Sequence, residues 1–298
     1  MGKDQGWRNI VTSPGSYRLG LALVTGSAIA WSTAGYFTTL IPLDNWTLLF
    51  WRGWFGALGI FAFMLAWRGR ATLTDFRHLG WPGWLFASIS AGGMLCFITG
   101  LTLTSVAHVA VIYGTAPFLA AGLGWLILHE KPSRNAVIAS LVALIGVAVM
   151  VMPGFGGGGM LGDLLALGMT IAMALIMIVA KRYPGIPFLA AAGLSAVLSA
   201  LVVWPFLGPV PRMDLPWLEL ALFGLVNSAL GLALFMLGAR LLPPVETALI
   251  GALDAPLAPV WVWIAFGLIP DTHTFLGGFL VFGAVALHLL VQWRPAEI

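Results

Sequence analysis

The chain has 298 residues, of which 60% are hydrophobic and only 8% are charged, and its mean hydropathy is +0.99. A water-soluble domain carries about 25% charged residues, so this composition excludes a soluble fold. The net charge of +3 does not indicate nucleic-acid binding, because the basic residues lie in short loops and form no basic face.

Ten apolar stretches follow one another along the chain. Each has about 18–25 residues, the length of helix that crosses a hydrocarbon core of about 30 Å. Lipid cannot satisfy an open backbone, so such stretches are expected to be helices. The predicted fold is therefore an all-α integral membrane protein. Its predicted spans 1 to 10 are 18–41, 46–67, 79–101, 106–128, 135–152, 162–180, 186–207, 218–239, 245–268 and 274–293.

The basic residues predict the orientation of the chain. Twelve of the fourteen Lys and Arg residues fall on one side of this pattern, if the N-terminus is placed in the cytoplasm. The exceptions are Arg212 in an outer loop and Arg52 inside span 2. Basic residues in short loops stay on the cytoplasmic side, so we expect both termini there. The first stretch is too long for the core of a signal peptide, and we expect it to be a retained span.

The two halves of the chain resemble each other at a nearly constant offset. The matched segments are Gly20–Gly26 with Gly162–Gly168, Gly93–Gly100 with Gly231–Gly238, and Ala116–Ala120 with Ala255–Pro259. Each half has five spans, and because five is odd the second half enters the membrane from the opposite side. We therefore predict two inverted five-helix repeats, residues 1–152 and 153–298, the architecture of many secondary transporters. Duplication without transport is the alternative.

Two prolines interrupt matched spans. Pro117 and Pro256 lie in the middle of spans 4 and 9, where a proline removes a helical hydrogen bond and is expected to kink the helix. Matched interruptions in two repeats are a pointer to a transporter's binding site. A purely structural kink is the alternative.

Asp254 is an acidic residue near the middle of span 9, two residues before Pro256. Its counterpart in the first repeat is Thr115. Ionisable groups inside a membrane are costly and are functional candidates by default, so Asp254 is predicted to bind a substrate amine or to carry a proton. A structural carboxyl, hydrogen-bonded to Asn227 or to a serine, is the alternative.

Arg52 lies about two turns inside span 2. Three interpretations are open: it attracts a substrate carboxylate, it extends to the outer headgroups, or it pairs with Asp44. Glu246 begins span 9 near Arg240, and we expect a surface ion pair or a gate there.

Two histidines at span ends titrate near neutrality when unperturbed. His108 starts span 4 on the outer side, and His288 lies near the inner end of span 10. The alternative for a lone histidine is an ordinary polar group with its hydrogen bonds satisfied.

The remaining polar and aromatic candidates are in the middle of spans 1, 4 and 8 and are suited to hydrogen bonding and stacking on a small ligand. Packing is the alternative for each aromatic residue. The predicted substrate-binding set is Trp31, Ser32, Tyr113, Thr115, Asn227, Ser228 and Asp254, and the predicted gating or coupling set is Arg52, His108, Pro117, Glu246 and Pro256.

Several chemistries are not supported by the sequence. The glycine run 154–159 lacks the lysine and hydroxyl of a phosphate-binding loop, Cys96 is the only cysteine, and no His-Glu-x-x-His motif occurs. We therefore expect no ATP site, no metal, no other cofactor and no enzymatic activity. The expected partners are a small-molecule substrate and the lipid bilayer, without nucleic acid or an obligate protein partner.

Several short motifs resemble those of the EamA-type drug/metabolite transporters over residues 18–293. The motifs are Trp31-Ser32, Phe50-Trp51-Arg52, Ala116-Pro117, Leu128-His129-Glu130-Lys131-Pro132, Gly146-Val147, Gly162-Asp163-Leu164-Leu165 and Ala255-Pro256. One departure is that Asp271, after Pro270, stands where the second repeat should repeat the acid Glu130. The halves also differ because span 7 has no arginine corresponding to Arg52.

The resemblance implies ten helices in two inverted repeats and a central cavity lined by spans 1, 3, 4, 6, 8 and 9, braced by spans 5 and 10. Within the family the chain is most similar to the YddG-type exporters of aromatic and other neutral amino acids. This implies a bacterial inner-membrane transporter that exports small amphipathic metabolites by alternating access. An uncoupled facilitator, an exporter of drugs or other metabolites, and an intramembrane enzyme are the alternatives.

Overall fold

A computed structural model describes residues 14–154, 159–208 and 215–293. Within these ranges the chain is helical and contains no strand. Nine of its described helices are long and apolar enough to cross a membrane, and the first predicted span is a tenth, interrupted helix. Four residues of the charge partition lie outside the described residues: Lys3, Arg8, Arg212 and Arg294.

The predicted spans keep their numbers, and their ends agree with the structure to within a few residues. Span 1 is Pro14–Ser32 and Ala34–Leu40, span 2 is Asn45–Arg68, span 3 is Gly80–Leu103, and span 4 is Val106–Tyr113, Ala116–Leu123 and the π-helical turn Gly124–Leu128. Span 5 is Arg134–Val151, span 6 is Met160–Arg182, and span 7 is Phe188–Val203. Span 8 is Trp217–Phe223, the π-helical segment Gly224–Leu230 and Gly231–Ala239; span 9 is Pro244–Gly251 and Asp254–Phe266; and span 10 is Thr272–Trp293.

Side-chain caps start several spans. The carboxylate of Asp44 accepts hydrogen bonds from the backbone N–H groups of Trp46 and Thr47, both at 3.0 Å, and so begins span 2. Burial raises the pKa of Asp44, but hydrogen bonds from Thr47 and Trp46 outweigh it and leave the pKa below its usual value. Asp271 caps span 10 in the same way through the N–H of Thr274 at 2.8 Å. Hydrogen bonds from the side chain and the backbone of Thr274 lower the pKa of Asp271.

The packing of the helices has the symmetry of a twofold axis. Spans 2, 4 and 5 each pack against their own counterparts in the second half, spans 7, 9 and 10. Span 3 packs on span 6 as span 8 packs on span 1, and span 3 packs on span 7 as span 8 packs on span 2. Exchanging the halves therefore maps these main contacts onto one another, as expected for two repeats of five helices.

Span 1 begins and span 10 ends on the same side of the molecule, which we call the terminal face. The largest buried apolar cluster lies in the half next to this face and includes Phe86, Met177 and Phe235. The two helices of span 9 differ in burial. All eight residues of Pro244–Gly251 are buried, whereas only Pro256 is buried in Asp254–Phe266. The half of the bundle next to the terminal face is therefore closely packed and closed, and the half next to the opposite face is less closely packed.

Spans 4 and 9 are each interrupted by a two-residue turn just before their prolines, and the turn residues keep a right-handed helical backbone conformation. In each span a helix of eight residues ends, two residues intervene, and a second helix begins. Pro117 is the second residue and Pro256 the third residue of these second helices. Proline has no N–H to donate to the carbonyl four residues earlier, so each interruption lies where the expected helical hydrogen bond is missing.

Candidate functional site

Span 1 is interrupted in its outer half, next to the predicted site residues. Its first helix ends at Ser32 and its second begins at Ala34. The hydroxyl of Ser32 donates to the carbonyl of Ile29 at 2.7 Å, and that of Thr33 to the carbonyl of Ala30 at 2.6 Å. Such hydrogen bonds back to the preceding turn bend helices, which accounts for the interruption at this point.

Arg52 points into the helix bundle. Its Nη1 donates to Oδ1 of Asn227 at 2.9 Å, its Nη2 lies 3.3 Å from Sδ of Met94, and its guanidinium lies 5.7 Å from the ring centre of Phe223. Two of the three interpretations are therefore wrong: Arg52 does not extend to the headgroups, and Asp44 is occupied in capping span 2.

The charge of Arg52 has no carboxylate partner within the described residues, where the ion pairs involve other side chains. Its Nε is buried without a hydrogen-bond partner in that part of the chain. A cation without a counter-charge is costly inside a membrane protein. The guanidinium is therefore suited to hold an anionic group.

Asn227 links Arg52 to span 1. It is 3% exposed and lies in the π-helical segment of span 8, a conformation frequent at functional sites. Its Nδ2 donates to the carbonyls of Ala30 at 3.3 Å and Trp31 at 3.1 Å, while its Oδ1 accepts from Arg52. With its amide engaged in this way, Asn227 is not the hydrogen-bond partner considered for Asp254.

Asp254 is the first residue of the second helix of span 9 and is half-buried. Within the described residues its carboxylate has no side-chain hydrogen-bond partner and accepts only from the backbone of Ala255. It interacts electrostatically with Tyr113 of span 4. Gly251, one turn earlier, is buried, yet a Cβ there would meet no atom within 4 Å. The carboxylate therefore lies one turn from an internal space.

The same short segment of span 1 contacts both charged residues indirectly. Trp261, two turns after Asp254, donates from Nε1 to the hydroxyl of Ser32 at 2.8 Å. Asn227, the partner of Arg52, is bonded to the two residues that precede Ser32. Residues 30–32 thus accept hydrogen bonds from two directions. One donor, Trp261, lies on the helix that carries Asp254, and the other is the side-chain amide that also accepts from Arg52. The helical spacing of Trp261 puts it on the same face of span 9 as Asp254, but its contact with Ser32 is not predictable from that spacing.

The predicted aromatic residues border the largest apolar cluster. Trp31 and Tyr113 are both partly buried against it. The ring centroids of Trp31 and Phe235 lie 5.0 Å apart. The indole of Trp31 also packs closely on Gly231 of span 8, where an added Cβ would lie 2.6 Å from the indole ring. Other half-buried residues at this border are Ile89, Leu119, Met173 and Leu232, so spans 1, 3, 4, 6 and 8 all contribute to it.

The hydroxyl groups of the predicted set are largely engaged. Thr115 donates to the carbonyl of Ile112 at 2.6 Å. Ser228 packs against Gly56 of span 2 so tightly that a Cβ at Gly56 would clash with it. In this conformation both side chains serve packing, and their contact with a substrate stays a prediction.

An open cavity of about 480 Å³ lies between spans 1, 4, 5, 9 and 10. Its walls include Gly35, Ala110, Ala255 and Pro259 and are mainly apolar. None of the predicted site residues lines it. It reaches the residue next to Asp254, so it runs close to the candidate site without containing it.

Glu246 is not part of a surface ion pair, contrary to expectation. It is 4% exposed, its Oε2 accepts from the hydroxyl of Tyr17 at 2.7 Å, and its Oε1 lies 3.8 Å from Nε2 of His288. Arg240 instead donates to the carbonyl of Pro184 at 3.0 Å. The reason is that Glu246 is enclosed where spans 1, 9 and 10 meet.

His108 is not a lone histidine. Its Nδ1 lies 3.1 and 3.2 Å from the two carboxylate oxygens of Asp163, which also accepts from the hydroxyl of Thr104 at 2.7 Å. Asp163 lies in the first turn of span 6, in the motif Gly162-Asp163-Leu164-Leu165. The sequence alone does not assign it a role. On the terminal face, Lys181 pairs with Glu130 at 2.6 Å.

The profile of the EamA-like transporter family matches residues 18–152 and again residues 160–290. A crystal structure of another protein superposes with a TM-score of 0.78 at 19% sequence identity, covering 91% of this chain and 96% of that one. At this identity the likeness shows the fold alone. No curated protein matches the chain.

Proposed function

The chain belongs to the EamA-like transporter family, and from that premise we propose that it exports small amphipathic metabolites, among them aromatic and neutral amino acids, by alternating access. We place it in a bacterial inner membrane with the terminal face in the cytoplasm, because the basic loops favour that orientation. The two repeats are proposed to be residues 1–152 and 153–298.

The observation that carries this proposal is a pair of incompletely compensated charges inside the membrane domain. Arg52 has only neutral partners, and Asp254 has no side-chain hydrogen-bond partner, within the described part of the chain. A zwitterion offers a carboxylate to the first and an ammonium to the second, which offsets the cost of holding both charges away from water. A neutral sugar leaves both charges uncompensated.

The half-buried aromatic residues suit the rest of such a substrate. Trp31 and Tyr113 lie at the border of the apolar cluster, and Tyr113 is within electrostatic range of Asp254. Sites for small molecules combine a mainly apolar lining with a few placed polar groups. A neutral or aromatic side chain is therefore preferred over a charged one.

Alternating access is supported by the uneven packing of the two faces. The terminal face is closed, with the first helix of span 9 fully buried, and the other half of the bundle is looser. Exchange of conformations between the two repeats would open the terminal face and close the other. On this basis the described conformation is outward-facing.

Counterflow in proteoliposomes tests the proposal. Vesicles preloaded with an unlabelled compound are diluted into its labelled form, and a panel of amino acids, sugars and cationic drugs is compared with protein-free vesicles. We expect accumulation of aromatic and neutral amino acids and none of sugars. Accumulation of cationic drugs without any amino acid would contradict the proposal. Net amino acid flux that ignores an imposed proton gradient would select the uncoupled facilitator.

A further inference from the structure

The end of the first helix of span 1 is held by side chains from the second half of the chain. Asn227 of span 8 donates to the carbonyls of Ala30 at 3.3 Å and Trp31 at 3.1 Å. Trp261 of span 9 donates from Nε1 to the hydroxyl of Ser32 at 2.8 Å. The last carbonyls of a helix need partners outside it, and this helix ends at Ser32. The position of this helix end therefore depends on spans 8 and 9.

These hydrogen bonds lie in the interior of the bundle. The exposed fractions of Ser32 and Asn227 are 2% and 3%, and Trp261 is half-buried. A serine hydroxyl has one O–H to donate, and that of Ser32 donates to the carbonyl of Ile29 at 2.7 Å, which leaves its oxygen to accept from the indole. Because a buried N–H without a partner is costly, the contact resists movement of the helix end away from span 9.

The helix end connects the two charged residues of the proposed site. Oδ1 of Asn227 accepts from Nη1 of Arg52 at 2.9 Å, so the amide that holds the helix end also orients the guanidinium. Trp261 lies two turns after Asp254 on the same helix. A continuous set of contacts therefore runs from the helix of Asp254, through the helix end of span 1, to Arg52.

The other half of the molecule has apolar residues at the corresponding positions. At the offsets of the matched segments, the equivalents of Asn227, Trp261 and Ser32 are Ile89, Gly122 and Ala174. Ala174 is buried in the largest apolar cluster, and Ile89 packs against that cluster. Span 7 likewise has no arginine corresponding to Arg52. The repeated fold thus does not require these hydrogen bonds, and they occur together with the arginine.

We propose that Trp261 is a positioning residue that sets the separation between Arg52 and Asp254, so that the site selects substrates by the distance between their carboxylate and ammonium groups. Trp261 acts through Ser32 and Asn227 and does not touch the substrate. The inference rests on the proposed function, because it takes Arg52 and Asp254 as the two groups that bind the substrate. Supporting hydrogen bonds of this kind hold binding groups at a productive geometry. Loss of the indole N–H frees the helix end, and the site then tolerates other separations.

Counterflow of three isomers tests the proposal. The compounds 2-, 3- and 4-aminobutyrate have the same atoms and the same charges and differ in the number of carbons between the amine and the carboxylate. We expect the wild type to exchange 2-aminobutyrate fastest. The ratio of its rate to that of 4-aminobutyrate should fall about threefold to tenfold in Trp261→Phe, which keeps an aromatic ring and removes the hydrogen-bond donor. Ser32→Ala removes the acceptor and should lower the same ratio.

The ratio separates positioning from folding, because a variant that only folds less well loses rate equally for the three isomers. Trp263→Phe is the matched control. Trp263 lies on the same helix, is 40% exposed, and packs edge-on against Phe275 of span 10 with 5.8 Å between ring centroids, so its replacement should keep the wild-type ratio. A wild-type ratio in either Trp261→Phe or Ser32→Ala, or an equal fall in Trp263→Phe, would overturn the proposal.

A second measurement needs no substrate. Because Trp261 and Asn227 hold the same helix end, the effects of their replacement on the free energy of unfolding are coupled, as expected for residues of one network. In mixed micelles the losses of Trp261→Phe and Asn227→Ala should not add in the double variant, whereas those of Trp263→Phe and Asn227→Ala should. Additive losses for the first pair would overturn the proposal. If the wild type exchanges no amino acid at all, the proposed function fails instead, and the unfolding comparison decides whether Trp261 positions span 1.

Discussion

Spans 4 and 9 are equivalent elements of the two repeats, and they differ at the point that matters for function. Both break after a helix of eight residues and resume with a proline in the first turn. At the interruption span 4 has Thr115, whose hydroxyl donates to the carbonyl of Ile112 in the same span. Span 9 has Asp254 at the equivalent position, and in the described part of the chain its carboxylate has no side-chain hydrogen-bond partner. Duplication of one half explains why both spans are interrupted at the same place. Divergence of the two halves explains why only span 9 has an acidic residue there.

The two spans also differ in burial. Every residue of Pro244–Gly251 is buried, whereas in Val106–Tyr113 only Val109 is buried among the residues whose burial is described. Equivalent helices are thus enclosed at one face and accessible at the other. The two repeats share one architecture, but in this conformation their equivalent helices are packed to different extents.

The largest expected effect is at Asp254. Asp254→Asn removes the charge that is proposed to hold a substrate amine, so counterflow of a neutral amino acid should fall by at least about tenfold, the effect of 1.4 kcal/mol. Thr115→Val, at the equivalent position, should change the rate less than about twofold, because that hydroxyl contacts only its own helix. Elution by size-exclusion chromatography checks that both variants fold. Equal rates for Asp254→Asn and wild type would remove Asp254 from the site.

Arg52 has no counterpart in span 7, and its replacement tests the other charge. Arg52→Gln should reduce counterflow of amino acids about tenfold, comparable to the loss of one charge-assisted hydrogen bond. Arg52→Lys keeps the charge but not the fork of donors, so we expect an intermediate rate. A lysine variant as active as wild type would show that geometry at Arg52 is unimportant.

The two histidine–carboxylate pairs should differ in their contribution to stability. Tyr17→Phe leaves Glu246 without its hydroxyl donor in a buried site, so the free energy of unfolding should fall by about 1 kcal/mol. Thr104→Val removes the corresponding donor from the more accessible Asp163, and water can replace it. Unfolding in mixed micelles measures both. A larger loss for Thr104→Val would contradict the difference in burial.

The smallest effect is expected at the prolines of the breaks. Pro117→Ala and Pro256→Ala should each lower stability by about 0.5 kcal/mol, because the folded spans already accommodate the interruption and proline restricts the unfolded chain. Pro259 lies inside the second helix of span 9 and is the control: its replacement by alanine restores a helical donor and should raise stability. Stabilisation by Pro256→Ala would instead show that this proline destabilises the folded span.

The sequence predicted the ten spans because the thickness of a bilayer fixes the length of an apolar stretch. It predicted the repeat because matched glycines and prolines recur at a nearly constant offset. It predicted interruptions in spans 4 and 9 from the matched prolines, but not the interruption of span 1 at Thr33, since one residue barely alters hydropathy. Nor did it pair Arg52 with Asn227 or Glu246 with Tyr17, which lie 175 and 229 residues apart, because such contacts depend on how helices face each other.

One comparison of substrates tests the central claim that Arg52 and Asp254 together recognise a zwitterion. Tryptophan, tryptamine and indole-3-propionate share one ring and differ only in having both charged groups, the amine alone or the carboxylate alone. In counterflow the wild-type protein is expected to exchange tryptophan much faster than the other two. Arg52→Gln should shift the preference toward tryptamine, and Asp254→Asn toward the acid. Tryptamine exchanged by the wild type as fast as tryptophan would contradict the account.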